Sequence, residues 1–301
     1  MKRTTVGLVL GVVVALLLVG FLSLSQAAGP AGMKLYVFSS GGLTIAKSAL
    51  QSGAPSTQVT VPVGFFVVVH PKGNFLFDTG NNDKIITDPS YWGPFIKGLT
   101  PERGPDVAID TQLKKINLTP NDIKYVAVGH MHLDHGGNVC KFPNATFLVQ
   151  KDEMKNAAWP EAGTAGPYIP GDVACLRNDL GEALPNKFKM EQLTGDLDLY
   201  NDGSIVIKRW PGHTPGSQMA IVRLPKTGTV ILTSDNVYFS ENVTKNLLPD
   251  ISLAYNPPGI LGAYEFIRSM QGREGASFMT AHDLDGAAAK ARNTKTPQVF
   301  E

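Results

Sequence analysis

The chain has 301 residues, with 27 basic side chains against 26 acidic ones, and 43% of its residues are hydrophobic. That length is enough to bury one large core. So even a charge balance excludes the strongly basic surface by which proteins hold nucleic acid.

The amino terminus opens with Lys2 and Arg3, followed by an apolar run over residues 6–24 and then Ser25-Gln26-Ala27-Ala28-Gly29. A positive flank, a hydrophobic stretch and a small-residue exit make residues 1–27 a secretory signal. The run also approaches the roughly 20 residues that cross a bilayer, so an uncleaved membrane anchor is the competing reading. Either way, residues 28–301 are expected to form one exported domain, periplasmic or secreted, with no membrane contact after cleavage. Oxidation is permitted outside the cytoplasm. The two cysteines, Cys140 and Cys175, read as one disulfide or as two separate buried thiols.

Residues 33–39 and 58–69 are rich in β-branched and aromatic side chains and predict strands. After the turn Pro71-Lys72-Gly73-Asn74, Phe75-Leu76-Phe77 predicts a short buried strand ending at Asp78-Thr79-Gly80. Residues 81–106 lack a clear period and predict a long loop of the kind that forms lids or binding walls. Helical spacing over residues 108–116 leads through a turn into an apolar strand over 123–128. Residues 147–149 predict a strand, 151–159 a helix, and the Gly- and Pro-rich 160–187 a second irregular insertion. Strands are then expected at 195–200, 205–210, 218–224 and 230–232, a helix at 261–271 and a last strand at 277–280. Early strands followed by strand–helix alternation, in both halves, predict an α/β fold of two packed sheets with helices outside.

The strand over 123–128 runs directly into Gly129-His130-Met131-His132-Leu133-Asp134-His135-Gly136-Gly137-Asn138, which holds three of the six histidines. Neutral imidazole and carboxylate are ligands of zinc and similar divalent ions. A short turn carrying four of them can aim two sets at neighbouring ions. Further on, His213 lies in Trp210-Pro211-Gly212-His213-Thr214-Pro215-Gly216, Asp235 follows the apolar Ile231-Leu232, and His282 follows Phe278-Met279. Each alone reads as an ordinary turn residue. Together, His130, His132, Asp134, His135, His213, Asp235 and His282 suffice for two divalent ions sharing one carboxylate. Zinc is the expected metal, and the same ligands also suit manganese, iron and cobalt.

Through Asp78-Thr79-Gly80, the His130–His135 cluster, Gly212-His213-Thr214-Pro215-Gly216, Asp235 and His282, in that order, the chain resembles the metallo-β-lactamase superfamily over nearly all of residues 28–301. The resemblance implies a four-layer αβ/βα sandwich, with two mixed sheets, helices outside and metals at one edge. It implies His130, His132 and His213 at one metal, Asp134, His135 and His282 at the other, and Asp235 bridging them. Asp78 would steady a ligand imidazole, or else merely cap a turn. The commonest zinc β-lactamases have a cysteine where this chain has Asp235, and flavo-diiron proteins a glutamate where it has His132. Glyoxalase-type thioesterases share the ligand set but are seldom exported.

Among the branches, the chain most resembles the N-acyl-homoserine lactonases. The shared features are Pro62-Val63, His70-Pro71-Lys72-Gly73-Asn74, Phe77-Asp78-Thr79-Gly80, the cluster through Asn138, and Tyr238 three residues after Asp235. Ser217 departs from a histidine common there. The implied function is metal-dependent opening of a small-molecule lactone by a metal-bridging hydroxide, which would make the protein a quorum-quenching enzyme. Tyr238 would steady the oxyanion and Asp134 would carry a proton to the leaving alkoxide; Tyr238 also reads as a half-buried aromatic. The alternatives are an exported organophosphate triesterase of the methyl-parathion-hydrolase kind, a β-lactamase, or a non-catalytic metal-binding protein. Phe65, Phe66, Trp159, Tyr168 and Phe239 are the candidates for an acyl-tail trough. His70 reads as structural, Gly136, Gly137 and Gly212 as giving the backbone room, and a homodimer is left open.

Overall fold

Alternation of side chains along the strands decides the layers. The computed structural model describes residues 28–160, 166–176 and 188–301; residues 1–27, read as a signal, and parts of the second insertion lie outside them. The described strands are β1 (Lys34–Ala46), β2 (Gln58–Val69), β3 (Asn74–Phe77), β4 (Thr100–Pro101), β5 (Ile123–Ala127), β6 (Thr146–Gln150) and β7 (Lys189–Leu193), then β8 (Leu197–Asp198), β9 (Ile205–Arg209), β10 (Gln218–Leu224), β11 (Gly228–Leu232), β12 (Ser277–Met279) and β13 (Gln298–Phe300). They form an eight-stranded sheet in the order β13-β1-β2-β3-β5-β6-β7, with β4 on β1, and a five-stranded sheet in the order β12-β11-β10-β9-β8. Both are mixed: β3, β5, β6 and β7 run parallel, as do β11 and β12, and the remaining pairs are antiparallel.

Successive residues on a strand face opposite ways. Leu35, Val37, Phe66, Val68, Phe75 and Phe77 therefore meet Ile205, Ile207, Ala220, Val222, Val230 and Leu232 in a core between the sheets. Their neighbours Phe65, Val67, Leu76 and Val126 face outward and pack on Ile109 and Leu113 of the helix Ile109–Lys114 and on Met154 of the helix Lys151–Ala158. On the far side Met219 and Ile231 pack on Ile260, Tyr264 and Ile267 of the helix Pro257–Glu274. The layers are thus helix, sheet, sheet, helix, as expected. No helix among the described residues is long and apolar enough to cross a membrane.

The elements depart from expectation in a few places. β1 continues past Ser39 because a bulge between Ser39 and Gly42 re-registers it on β2. The helix expected at 261–271 begins at Pro257: proline lacks only an N–H that a first helical turn leaves unbonded, and the Asn256 side chain accepts from Gly259 N at 3.2 Å. The loop at 81–106 holds short helical segments, Lys84–Thr87 and Pro89–Lys97, that bury Trp92 completely. The helix Ala287–Thr294 and strands β7 and β13 were not anticipated.

Cys140 and Cys175 form a disulfide with Cα atoms 5.5 Å apart, tying the exit of the histidine-rich loop to the segment 166–176. Asp172 in that segment is 1% exposed. It accepts from Tyr91 Oη at 2.8 Å and Asn82 Nδ2 at 2.7 Å, so it holds the loop at 81–97 as well. Burial pushes its carboxyl up to about 7, despite those bonds and the nearby Lys84. The folded state therefore holds this proton more tightly than the unfolded chain, whose aspartates titrate near 3.9, and stability contributed here falls as pH rises from about 4 to about 7.

Two stability measurements follow from these contacts. Closing a loop of 35 residues should be worth about 3–4 kcal/mol, so Cys140→Ser with Cys175→Ser should lower the urea midpoint accordingly. An unchanged midpoint would contradict it. Asp172→Asn, which keeps the acceptor for Tyr91 and Asn82, should gain stability over wild type above pH 7 and lose that advantage near pH 4. An equal difference at both pH values would remove the titration from the account.

Candidate metal centre

Five strand-to-loop junctions meet at one edge of the paired sheets. β3 delivers Asp78, β5 the loop at 129–138, the β9–β10 connection His213, β11 Asp235 and β12 His282. All seven candidate ligands are buried, none above 7% exposure. Among the described residues they fall into three groups able to hold a metal ion: His130, His132 and His213; His130, His135 and Asp235; and Asp134, His135 and His282.

Asp235 stands between the outer two groups. Its Oδ1 lies 3.0 Å from His135 Nε2 and 3.2 Å from His282 Nε2. Its Oδ2 lies 3.8 Å from His130 Nε2 and 3.7 Å from His213 Nε2. One carboxylate therefore presents one oxygen to each set. Asp134 Oδ2 approaches only one of them, 3.5 Å from His282 Nε2 and 3.8 Å from His135 Nε2.

The rings are aimed by what their other nitrogen touches. His213 Nδ1 donates to Leu253 O at 2.7 Å, and His282 Nδ1 to Pro62 O at 2.8 Å. His135 Nδ1 pairs with Asp78 Oδ2 at 3.0 Å, so Asp78 braces the ring of a candidate ligand. The other Asp78 oxygen accepts from Gly129 N at 2.6 Å and fixes the start of the loop. His132 is turned the other way, with Nδ1 3.0 Å from His213 Nε2. Two non-glycine residues beside these rings adopt left-handed backbone, Asp78 with φ 62° and Ser234 with φ 45°. Ser234 Oγ is 3.1 Å from His135 Nδ1 and 3.4 Å from His130 Nδ1. Strain of this kind persists only where surrounding contacts impose it. Two glycines admit the close approaches: a Cβ on Gly129 would lie 2.1 Å from that of Ser234, and one on Gly137 would lie 2.3 Å from Asn82 N.

Burial, the largest influence on each ring, drives His130, His132 and His213 below the ordinary imidazole range, and neighbouring rings add to the fall. That shift favours the neutral ring, the form that binds metal. Burial also works downward on His135 and His282, but Asp235 and Asp134, with Asp78 at His135, outweigh it and hold both rings above the range. Asp235 is pushed up by burial yet held well below the carboxylate range by His135 and His282. His130 Nε2 is buried and bonded to nothing among the described residues. His135 Nε2 and His282 Nε2 face each other at 3.2 Å. A hydrogen-bonded core does not leave imidazole nitrogens and carboxylate oxygens converging in this way. The donor set fits two divalent cations.

Tyr238, 2% exposed, places its hydroxyl 3.3 Å from His213 Nδ1 and stacks on His282 at 5.9 Å. Burial, then the Asp235 and Asp134 charges, hold its phenol well above the usual range. Its pocket is lined by the aliphatic Leu43, Ile45, Leu50, Val61, Leu99 and Leu253 together with His132, Asp134, His213, Asp235 and His282. These aliphatic side chains replace the trough residues expected from sequence. Phe65 and Phe66 point to opposite faces of the large sheet and are fully buried in its two cores, and Trp159, 81% exposed, lies outside this pocket. Phe239 is buried in the same hydrophobic cluster as Leu43, and Tyr168 contacts the His132 ring. His70 is structural, stacked on Tyr200 at 4.0 Å. Ser217 pins the turn around His213, its Oγ donating to Trp210 O at 2.6 Å and accepting from Gly212 N at 3.1 Å. Glu153 and Ser234 were missed; Glu153 reads in sequence as an ordinary acid in a first helical turn.

The profile of the metallo-beta-lactamase superfamily matches residues 60–277. An N-acyl homoserine lactonase, AttM, of Azorhizobium caulinodans is 32% identical over 256 residues, covering 84% of this chain and 94% of that protein. Among solved structures, an N-acyl homoserine lactone hydrolase with N-hexanoyl-L-homoserine bound at its catalytic metal centre superposes with TM-score 0.70 at 23% identity, over 84% of this chain and 94% of that one. AidC, a dizinc quorum-quenching lactonase, superposes with TM-score 0.59 at 15% identity, over 85% and 89%.

Dialysis against a chelator should leave converging ligand atoms buried without a partner and lower the melting temperature by about 5–10 °C, with two equivalents of zinc restoring it. A melting temperature indifferent to both treatments would contradict the two-cation fit.

Proposed function

We propose that this chain, which belongs to the metallo-beta-lactamase superfamily, hydrolyses the ring ester of N-acyl homoserine lactones. The observation that carries this reading is the position of Asp235, with one oxygen toward each ligand set, in the lining of a largely aliphatic pocket that Asp134 and Tyr238 also line. The lactonase names of relatives such as AttM supply the substrate class. Two divalent cations held there, zinc in the first instance, would polarise the ester carbonyl and acidify a shared water.

The chain's own groups divide the remaining work. Asp235 keeps the two ligand sets at a fixed separation. Tyr238 stays protonated, so its hydroxyl donates a hydrogen bond to the oxygen on which charge develops. Asp134, whose Oδ2 faces His135 and His282, has a second carboxylate oxygen that takes the proton of the attacking water and returns it to the departing ring oxygen. The aliphatic walls hold the acyl tail and exclude water from the reacting ester. Ring opening would silence such lactones as signals. Export is part of the same reading, supported by the residue pattern of 1–27 and by the disulfide, and cell fractionation tests it.

Metal-loaded protein should turn over an N-acyl homoserine lactone faster than a chromogenic β-lactam, methyl parathion or a glutathione thioester. Fast turnover of one of the others with the lactone at background would retire the lactonase reading. Asp134→Ala should lose most activity, and Tyr238→Phe should lower lactone kcat about 10- to 100-fold with metal content intact. Unchanged kinetics in Tyr238→Phe would leave that residue a packing role only.

A further inference from the structure

Glu153 takes no part in the scheme above, yet it is a carboxylate 1% exposed in the first turn of the helix Lys151–Ala158. Burying a charge is costly unless hydrogen bonds compensate. Its compensation is distributed in a particular way. Glu153 Oε1 accepts from Met131 N at 2.8 Å and from Tyr168 Oη at 3.2 Å. Glu153 Oε2 accepts from Thr214 Oγ1 at 2.6 Å, and Gly216 N also donates to the carboxylate. Met131 lies between His130 and His132, Thr214 follows His213, and the Tyr168 ring packs edge-on against His132 at 4.7 Å. Three of these four donors thus adjoin or touch a member of the three-histidine set, and the fourth, Gly216, closes the turn that carries His213.

The second set is held by other groups. His135 rests on Asp78 and His282 on Pro62 O, and among the described residues neither is hydrogen-bonded to Glu153. The approach is also close: a Cβ on Gly216 would lie 2.1 Å from Glu153 N, so the His213 turn is seated directly on this helix.

We propose that Glu153 is a positioning residue for one half of the centre, holding His130, His132 and His213 together from behind while leaving Asp134, His135 and His282 to their own supports. The inference rests on the two-cation reading of the site, not on the lactone as substrate. Because its donors come from three segments far apart in sequence that all serve the same three histidines, a loss at Glu153 should loosen one ion and spare the other. A merely structural role would lower melting temperature without that asymmetry.

The test uses the full protein loaded with cobalt, comparing wild type, Glu153→Gln and Thr214→Val, with His132→Ala and His282→Ala as references for each broken half. Bound cobalt is counted by elemental analysis over graded chelator, and the absorption spectrum of the remaining ion is recorded. Glu153→Gln should give up its first ion at about 10- to 100-fold less chelator than wild type, the effect expected for a group that orients ligands. The ion that remains should have the spectrum of His132→Ala, not that of His282→Ala. Thr214→Val should shift in the same direction by less, and it carries the test if Glu153→Gln does not fold. Wild-type chelator resistance in the folded variants, parallel loss of both ions, or a residual spectrum like that of His282→Ala would overturn the inference. Wild-type protein that takes up no cobalt would overturn the two-cation reading, and this inference with it.

Discussion

One buried carboxylate constrains everything around it. Asp235 has an oxygen 3.0 Å from His135 Nε2 and the other 3.7 Å from His213 Nε2, inside a pocket from which water is largely removed. A charge in such a place is tolerated only with opposite charge and hydrogen bonds around it. The protein surrounds it with imidazoles rather than with lysine or arginine, and aims their free nitrogens at it. That choice of partner, more than the number of histidines, makes the site one for cations.

The rest of the architecture meets the geometric demand this creates. Ligands come from four separate parts of the chain, so each needs a rigid base at the same sheet edge. Parallel pairing of β3 with β5 and of β11 with β12 supplies it, because the ends of parallel neighbours lie side by side. Loops leaving those ends are then held by further contacts. Asp78 braces His135 and the Gly129 amide, Ser234 sits against two rings in strained backbone, and the disulfide fastens the exit of the loop. Asp78 and Ser234 are buried and the disulfide is half-buried, and each joins residues distant in sequence.

The contrast between what was legible in the sequence and what was not follows from the same physics. Histidines after an apolar strand are conspicuous, because neither core nor surface favours such a cluster, and the seven candidates do converge. The two-sheet layering was legible because early strands followed by strand–helix alternation recur in both halves of the chain. The helix Ala287–Thr294 was not, since its buried residues are alanines, which give no contrast with their neighbours. β7 shows only Leu193 buried and reads as a polar segment. Phe65 and Phe66 look like trough residues in sequence, but adjacent positions on a strand face opposite layers, and both layers here are core. Glu153 lay beyond sequence reasoning altogether, because its hydrogen-bond donors come from three segments that only the fold brings to it.

The central claim is a pair of cations astride Asp235, and diffraction from zinc-loaded crystals at energies on either side of the zinc absorption edge tests it most directly. The account predicts two anomalous peaks, one among His130, His132 and His213 and the other among Asp134, His135 and His282, with an Asp235 oxygen directed at each. A single peak, or none, would contradict it.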